Sequence, residues 1–388
     1  MKTNKFLLGL FAVAMTLLVG CAADDTSDVT INLNGGGTNQ NPTGTVIGGT
    51  LTADLTLTTG TEYDLTSGLI VPAGITLTIE PGVVIRATTG SDVYVAVQQD
   101  GMIMAEGTST NPIVFTSNSA TPNPGDWGGL IVLGRAPINS VVGGTATSTS
   151  EIGGLPYGGN VANDNSGIIR YVRIEYSGGA ADAASENNGF SFYGVGSGTT
   201  IDYIQAFEGA DDGVEFFGGT VNASHISVVG AQDDSVDWTE GFTGTLTDVY
   251  IEHRQSHDKG IEGDGFNTDI GNNSNPVFWS APTVNNITIN GLGSSNGNEA
   301  IRLRAGTRAL FNNVKLEGFE EGYDLDDSET GTGVTAGDTS VTDISFTDVT
   351  LNLKNDTGAM FDANTFFTGI GNGTGADYNS WNSGWTRN

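Results

Sequence analysis

The chain is poor in several residue types, and each scarcity excludes a class of protein. Cys21 is the only cysteine in 388 residues, so a disulfide framework and a cysteine-based zinc site are both excluded. Only 14 lysines and arginines and three histidines accompany 45 aspartates and glutamates, giving a net charge of −31. Such a charge repels nucleic acid and attracts divalent cations or basic partners. We therefore expect no nucleic-acid partner.

Long apolar runs are also scarce. The longest, residues 6–19, follows Lys2 and Lys5 and is too short to span a membrane, which is typical of a secretory signal peptide over 1–20. Leu18-Val19-Gly20-Cys21 resembles a bacterial lipobox, which implies cleavage before Cys21 and lipidation of its sulfur. The alternative is an ordinary signal peptide with an incidental cysteine. Cleavage would remove two lysines and no acidic residue, so the net charge would become −33.

Residues 21–45 are rich in Asn, Gly and Thr and contain few apolar residues, which predicts a flexible tether. The pair Asp24-Asp25 follows closely after Cys21. It resembles the export signal that sends lipoproteins of the Bacteroidota to the outer face of the outer membrane. The resemblance implies a lipid-anchored protein of the outer membrane that faces the cell exterior. A merely acidic linker is the alternative.

A repeated pattern organises the rest of the chain. Each copy between residues 209 and 265 has a turn with small or acidic residues, followed by a strand of the form apolar–acidic–apolar. The clearest copies are 211–216, 233–238 and 257–263, so that position 213 recurs at 235 and again at 260. Apolar residues alternate, without a helical period. Such a repeat is the signature of a solenoid and predicts an all-β, single-stranded parallel β-helix.

The β-helix domain is predicted to span 46–388, with three irregular segments. Residues 140–166 lack the period and are rich in Gly, Ser and Thr, which predicts a surface loop. Residues 266–297 are predicted to be an insertion, because the step from position 260 to position 300 is much longer than the step from 235 to 260. Residues 355–388 are predicted to form a C-terminal cap, since an uncovered last coil would expose strand edges and core.

Seven segments, spread over nearly the whole chain, carry a resemblance to a known family. They are LTIEPGVVIRA, GDWGGLIVLGRAPIN, IRYVRIEYSG, NGFSFYGVGSGTTIDYIQ, FFGGTVNASHISVVGAQDDSVDW, PTVNNITING and WNSGWT. They resemble a family of secreted and lipid-anchored β-helix proteins of the Bacteroidota, whose members often carry a multidrug-transporter label that a β-helix does not justify. The resemblance implies a right-handed β-helix with terminal caps and no established reaction. The family's longer aspartate run and its Ser-Gly-Ser-Asn-Gly turn are altered here at 233–238 and 256–260.

The acidic residues of the repeat form a predicted ladder. In a strand whose flanking side chains point inward, the middle one points outward, so Glu215, Asp237 and Glu262 are expected to stack on one exposed face. The turns add Asp211, Asp212, Asp233, Asp234 and Asp258. Carboxylates about 4.8 Å apart repel by about 1 kcal/mol in water, which a cation could offset. Ca²⁺ takes six to eight oxygen ligands, so these residues predict a calcium site. The alternative is a solvated acidic face.

A catalytic interpretation stays open beside this one. Hydrolases of the polygalacturonase type use aspartate clusters with histidine and basic residues on successive coils, and pectate lyases need a basic residue near calcium. Asp233, Asp234, His257 and Lys259 are the candidate catalytic residues. The Gly-His-Gly and Arg-x-Lys signatures of those hydrolases are absent from the sequence, which favours a protein without catalysis.

Two tryptophans and three histidines complete the candidates. Trp238 and Trp279 could stack on sugar rings or pack in the core and loops. His225 lies in an alternating strand and is expected to point outward. His253 and His257 are four residues apart, but not on a helix, so they do not predict a zinc site.

The sequence thus predicts a surface-exposed outer-membrane lipoprotein that binds a carbohydrate or a protein partner, such as an outer-membrane protein, without catalysis and with Ca²⁺ as the candidate cofactor. A polysaccharide lyase or glycoside hydrolase of the β-helix type is one alternative. A purely structural stalk or adhesin, with no small ligand, is the other.

Overall fold

The computed structural model describes residues 44–140, 147–181, 185–268 and 276–388. The predicted signal peptide, Cys21 and all but two residues of the predicted tether lie outside the described residues. Across the described ranges, no helix is both long enough and apolar enough to cross a membrane.

Strands dominate the fold. The first twelve are β1 (Thr45–Thr50), β2 (Leu55–Leu57), β3 (Glu62–Val71), β4 (Thr76–Ile79), β5 (Val84–Ala87), β6 (Val95–Val97), β7 (Met102–Glu106), β8 (Ile113–Ser117), β9 (Leu130–Leu133), β10 (Thr147–Thr149), β11 (Pro156–Gly158) and β12 (Gly167–Glu175). The next eight are β13 (Phe190–Tyr193), β14 (Thr200–Phe207), β15 (Val214–Phe217), β16 (Ala223–Val229), β17 (Val236–Thr239), β18 (Thr245–Glu252), β19 (Ile261–Asp264) and β20 (Thr283–Asn290). The last elements are β21 (Glu299–Arg304), β22 (Leu310–Leu325), α1 (Ser328–Ala336), β23 (Ser340–Asn355), α2 (Ala363–Phe366), β24 (Phe367–Ile370) and a 3₁₀ turn at Tyr378–Ser380.

All strands except the antiparallel hairpin β10–β11 pair in parallel with the equivalent strands one coil before and after. Three stacks result. The first sheet contains β2, β4 and β7, and the second contains β5 and β8. The third contains β6, β9, β13, β15, β17, β19 and β21. Longer strands such as β12, β14 and β16 turn a corner and join both the first and second sheets. The predicted parallel β-helix is therefore confirmed.

The corner between the first and second sheets is a ladder of outward side chains with left-handed backbone. Tyr171, Tyr203 and His225 have φ between 50° and 54° in three successive coils. The ring of His225 stacks on Tyr203, with centroids 3.9 Å apart, and its Nδ1 lies 2.8 Å from Asp202. These stacked rings offset the cost of the left-handed conformation, which non-glycine residues seldom adopt.

The C-terminal segment differs from the cap predicted over 355–388. Phe366 and Phe367 pack against Tyr323 and cover the end of the core. The chain then turns back along the outside of the corner ladder, where Trp381 and Trp385 lie edge-on to Tyr203. The aromatic ladder offers an apolar surface there. Residues 371–388 thus cover the side of the solenoid and not its end.

The two predicted irregular segments also differ in detail. Residues 140–166 contain the hairpin β10–β11, and Ile152 and Tyr157 are buried against the outer side of the third sheet. This segment is therefore a packed wall and not only a surface loop. In the predicted insertion 266–297, β20 is a regular strand between β18 and β22, so the interruption ends before Thr283.

Candidate functional site

The predicted acidic ladder lies on the outer side of the third sheet. Strand pairing places one outward residue from each coil in a single column. In chain order the column is Ile131, Ser191, Glu215, Asp237, Glu262, Arg302, Asp324 and Lys354. The predicted stacking of the three acidic residues is thus present in the fold.

The two halves of the column differ in charge. After Glu262 the signs alternate through Arg302, Asp324 and Lys354, and the Lys354 ammonium lies 2.9 Å from an Asp324 carboxylate oxygen. Before Glu262, two further acidic residues are stacked without an intervening base. The column neutralises itself in its C-terminal half, and it accumulates negative charge in the middle.

Aspartates of the preceding turns are held by the backbone of the next coil. Asp212 Oδ1 accepts a hydrogen bond from the Asp234 N–H at 2.9 Å, and Asp234 Oδ1 accepts one from the Lys259 N–H at 2.8 Å. One oxygen of each carboxylate therefore links two coils. The acidic residues in these turns are part of the solenoid's own hydrogen bonding, which fixes where they stand beside the column.

The column and the turns line a cleft of about 540 Å³. Its walls carry eleven carboxyl groups and two basic side chains, so its formal charge with every group ionised is −9. The carboxyl groups belong to Glu151, Glu186, Asp211, Asp212, Glu215, Asp233, Asp234, Asp237, Asp258, Glu262 and Asp264. All eight residues predicted to bind calcium are among them.

The prediction of an exposed face is wrong, however. Glu262 is 6% exposed, and Glu215 and Asp237 are half-buried. Beside them, the turn residues Asp212 and Asp234 are 7% and 4% exposed. The cleft is closed at one side by the 147–158 segment, where the Tyr157 hydroxyl donates to a Glu240 carboxylate oxygen at 2.6 Å. Burial matters because carboxylates repel one another more strongly away from water.

The two basic residues act at one end of the cleft. Lys259 Nζ lies 2.6 Å from Asp258 Oδ2 and 3.1 Å from Glu262 Oε1. Arg304 Nη2 lies 2.5 Å from Glu262 Oε2, and its Nε lies 2.7 Å from Asp264 Oδ1. Glu262 is therefore compensated by two cations built into the chain.

The opposite end lacks such compensation. Within the described ranges, Asp211, Asp212, Glu215, Asp233 and Asp237 make no ion pair with a basic side chain at 4.0 Å or less. A Glu215 carboxylate oxygen accepts from the Asn188 amide at 2.6 Å. Two buried oxygens facing this region, Asp237 Oδ1 and the hydroxyl of Thr239, have no hydrogen-bond partner among the described residues. Among the described residues, this end of the cleft thus has oxygen ligands to offer and no basic side chain within 4.0 Å to neutralise them.

The protonation of the cleft reflects the same imbalance. Burial, reinforced by Glu186 and Asp233, raises the pKa of Asp211 to about 8. Burial and neighbouring carboxylates also raise the pKa values of Asp212, Glu215 and Asp237 well above the usual range. Without a cation, the cleft therefore keeps protons at neutral pH.

Two groups of three carboxylates are arranged as a divalent cation requires. Each group supplies oxygens that all lie within 4.8 Å of one another. The groups are Asp212, Glu215 and Asp237, and Glu186, Asp211 and Asp233. Calcium–oxygen distances of 2.3–2.6 Å place ligand oxygens up to about 5 Å apart, so both groups fit Ca²⁺. Two other groups, Asp212 with Asp233 and Asp234, and Asp234 with Asp237 and Glu262, include carboxylates beside the Lys259 ammonium, which takes the place of a cation.

The residues proposed for catalysis fit that role poorly. Asp233 and Asp234 lie in the cleft, but His257 stacks on His253 with centroids 4.4 Å apart and does not line it. Burial would lower the pKa of Lys259, but Asp234, Glu262 and Asp258 outweigh burial and raise it. A raised pKa keeps Lys259 protonated at neutral pH and disfavours it as a base, so its predicted catalytic role stays a prediction.

The tryptophan predictions differ in outcome. Trp238 is fully buried, and its indole N–H donates to the Thr307 hydroxyl at 3.0 Å. It points inward beside the outward Asp237, so its prediction as a ligand-stacking residue is wrong. Trp279 is half-buried, packs on Phe266 and lies under the guanidinium of Arg308, away from the cleft.

Sequence reasoning missed three of the eleven carboxyl groups that line the cleft, Glu151, Glu186 and Asp264, and it also missed the hydroxyl of Thr239. Thr239 and Asp264 stand two positions after Asp237 and Glu262, so the strand period alone could have placed them on the same face. Glu186 comes directly before the turn 187–189, which is one coil earlier than the turn that contains Asp211. Glu151 comes from the wall segment, and no periodic signal identifies it.

Comparison with known proteins gives one match, and it covers nearly the whole chain. The sequence profile of a family described as "pectate-lyase like beta helix domain" matches residues 49–386. No curated protein and no solved structure is significantly similar to the chain. The match begins within β1 and spans the following coils and the whole acidic cleft. The chain therefore belongs to the family of pectate-lyase-like beta-helix domains.

Proposed function

We propose that the protein is a binding protein of the cell surface whose acidic cleft holds Ca²⁺ and, with the ion in place, binds a carbohydrate or protein partner. The observation that carries the proposal is the uncompensated end of the cleft. Five carboxylates converge there without an ion pair, while Glu262, one coil on, has two.

A divalent cation would offset what this arrangement costs. Bound by Asp212, Glu215 and Asp237, it would neutralise stacked carboxylates and give Asp237 Oδ1 a partner. It would also place a positive charge at the floor of an otherwise negative cleft. Carboxylate or hydroxyl groups of a ligand are the natural partners of such an ion.

The charged groups of the cleft favour binding over catalysis. A calcium-dependent lyase needs a base that can take a proton from carbon beside the ion. Lys259 and Arg304 are each held by two carboxylates, and the pKa of both is raised despite their burial. Both basic side chains therefore stay protonated at neutral pH, which disfavours either of them as the base of a lyase.

Glycoside hydrolysis is the second candidate, because one observation favours it. Burial raises the pKa of Asp211 to about 8, and its oxygen lies within 4.8 Å of one from Asp233. A protonated carboxyl beside a second one is the pair that hydrolysis uses. Calcium would ionise Asp211 and remove this acid. The ion should therefore suppress hydrolysis if the protein is a hydrolase, whereas it should promote ligand binding if the protein is a binding protein.

The proposed location rests on the sequence. The lipobox at Cys21 and the acidic pair after it support a lipid anchor in the outer membrane, with the β-helix facing the exterior. The tether of residues 21–45 would separate the solenoid from the membrane.

Calorimetric titration with Ca²⁺ tests the proposal, using the secreted chain with Cys21→Ser so that it carries no lipid. We expect saturable binding and a raised melting temperature, both lost in Asp212→Asn/Asp237→Asn. Glu317→Gln is the matched control, because Glu317 pairs with Lys315 at 3.2 Å outside the cleft. Absence of heat and of any melting shift would refute the calcium site and leave a structural stalk. Release of reducing sugar that Ca²⁺ suppresses would favour the hydrolase.

A further inference from the structure

The last long strand has an open edge. β23 pairs with β22 along its whole length, from Ser340 to Asn355. On its other side β24 covers only Val341–Ile344. Within the described ranges, residues 346–355 therefore present unpaired backbone groups at the C-terminal end of the solenoid. Such an edge is a template for a further strand.

The core is also incompletely covered at this edge. Val349 and Leu353 stack on Phe319 and Tyr323 of the previous coil, which are fully buried, yet both are only partly buried themselves. Between them, Leu351 is 44% exposed. Two inward columns of the core are thus only partly covered at the last coil, although Phe366 and Phe367 pack beside Tyr323.

The edge has few of the features that prevent strand addition. Residues 346–355 contain no proline. Lys354, which could guard the edge with its charge, turns to the previous coil and lies 2.9 Å from Asp324 Oδ2. Asp348 is similarly engaged, accepting from the Ser294 hydroxyl at 2.6 Å. Both charges are directed away from the position where an added strand would lie.

The chain contains a second copy of this strand sequence, before the described coils. Residues 28–34 read DVTINLN, and residues 348–354 read DVTLNLK. Five of the seven positions are identical, and a sixth exchanges Leu351 for Ile31. In this solenoid equivalent apolar residues stack from coil to coil, so a strand that repeats the edge sequence has side chains that match it.

We propose that residues 28–34 of one molecule pair in parallel with residues 348–354 of a second copy, as an added coil strand. In register, Val29 would stack on Val349 and Leu33 on Leu353. Both inward columns would then be covered by a further strand. The interaction surface is the open edge of β23, and its partner is the tether of another copy of this chain.

The partner must be a second molecule, because the tether is too short to reach its own edge. Ten coil steps separate β1 from β23 along the second sheet, which at about 4.8 Å a step is about 48 Å. The ten residue-to-residue steps from Asn34 to Gly44 span at most about 36 Å when fully extended. The pairing therefore joins the N-terminal tether of one molecule to the C-terminal end of the solenoid of another.

Disulfide trapping tests the pairing and its register in a chain whose native cysteine is replaced by Cys21→Ser. Leu33→Cys and Leu353→Cys, carried on separate molecules and mixed under mild oxidation, should form a crosslinked dimer, since neighbouring Cα atoms at strand spacing suit a disulfide. Leu33→Cys mixed with Thr347→Cys is the off-register control and should give at least ten-fold less. Equal yields in the two mixtures would overturn the proposal.

Sedimentation of the full chain with Cys21→Ser gives an independent readout. Self-association should weaken at least ten-fold in Ile31→Lys/Leu33→Lys and stay unchanged in the matched tether variant Thr38→Lys. At concentrations where the protein is monomeric, the melting temperature should be the same in all three proteins, because the changes precede the predicted β-helix domain 46–388. A monomer at every concentration, or an association that survives the lysine pair, would refute the role of residues 28–34.

Discussion

Replacing Asp237 by asparagine should change stability in opposite directions with and without calcium. Asp237 stands in the column between Glu215 and Glu262, and one of its oxygens is buried without a partner among the described residues. An asparagine of the same shape removes one charge and can donate to a neighbour, as the Asn188 amide does to Glu215 at 2.6 Å.

The magnitude follows from the coil spacing. Two ionised carboxylates about 4.8 Å apart repel by about 3.5 kcal/mol at an effective dielectric constant of 20. Proton uptake relieves part of this cost, because burial and Glu262 raise the pKa of Asp237 well above its usual range. We therefore expect Asp237→Asn to raise the free energy of unfolding by about 1–3 kcal/mol in EDTA at pH 8. In saturating Ca²⁺ the variant should instead melt below the wild type, with affinity reduced at least about ten-fold.

Thermal melting at pH 8, in EDTA and in Ca²⁺, measures both effects. The control is Asp324→Asn in the same column, because Asp324 lies between Arg302 and Lys354 and is 2% exposed. Its loss should destabilise by about 1–3 kcal/mol in both buffers, since it leaves a basic side chain without its partner. If Asp237→Asn also destabilised the protein in EDTA, Asp237 would be a structural hydrogen-bonding residue and the argument from repulsion would fail.

Three further expectations concern pH, a built-in cation and the C-terminal segment. The pKa of Asp211 is about 8 in the fold and near 3.8 unfolded, so its stabilising contribution is complete below pH 4 and is lost as the pH rises through about 8. The melting temperature in EDTA should therefore fall between pH 5 and 9, and Ca²⁺ should flatten this slope; a flat profile in EDTA would contradict the pKa shift. Lys259→Met should add one calcium-binding event in calorimetry, because the substitution removes the ammonium group beside Asp234 and Glu262. A folded variant that binds the same number of calcium ions as the wild type would argue against a cation site at that position. Trp385→Ala should weaken the docking of the 371–388 segment by about 3–5 kcal/mol and speed its cleavage by chymotrypsin, because Trp385 is fully buried. The control Trp385→Phe should be cleaved near the wild-type rate. If the alanine variant resisted cleavage as well as the wild type, Trp385 would not anchor the segment.

The recurrence of one turn-and-strand pattern at positions 213, 235 and 260 predicted the architecture and the alignment of the acidic residues. The reason is physical: in a parallel β-helix each coil pairs with the next, so a sequence repeat becomes a column of stacked side chains. The inward direction of Trp238 beside the outward Asp237 follows from the alternation of side chains along a strand. Of the two roles that the sequence left open for Trp238, sugar stacking and core packing, the alternation favours core packing, and the structure places the indole in the core.

The environment of the ladder was not predictable in the same way. Glu151 and Tyr157 belong to a segment without a period, and its packing over the third sheet depends on apolar residues from distant coils, including Tyr193 and Phe217. That wall turns an exposed face into a buried cleft and raises the pKa values in it. Likewise, Arg304 is far from Glu262 in the chain and reaches it only because two coils stack.

The sequence by itself determined the β-helix, the column of Glu215, Asp237 and Glu262, and the strong negative charge, because all three depend on local periodicity and composition. Only the tertiary structure decided which of those charges are compensated. Lys259 and Arg304 settle beside Glu262 and leave Glu215 and Asp237 without a cation. Charge compensation depends on distances of a few ångströms between coils, and a one-dimensional pattern fixes the order of the coils but not those distances.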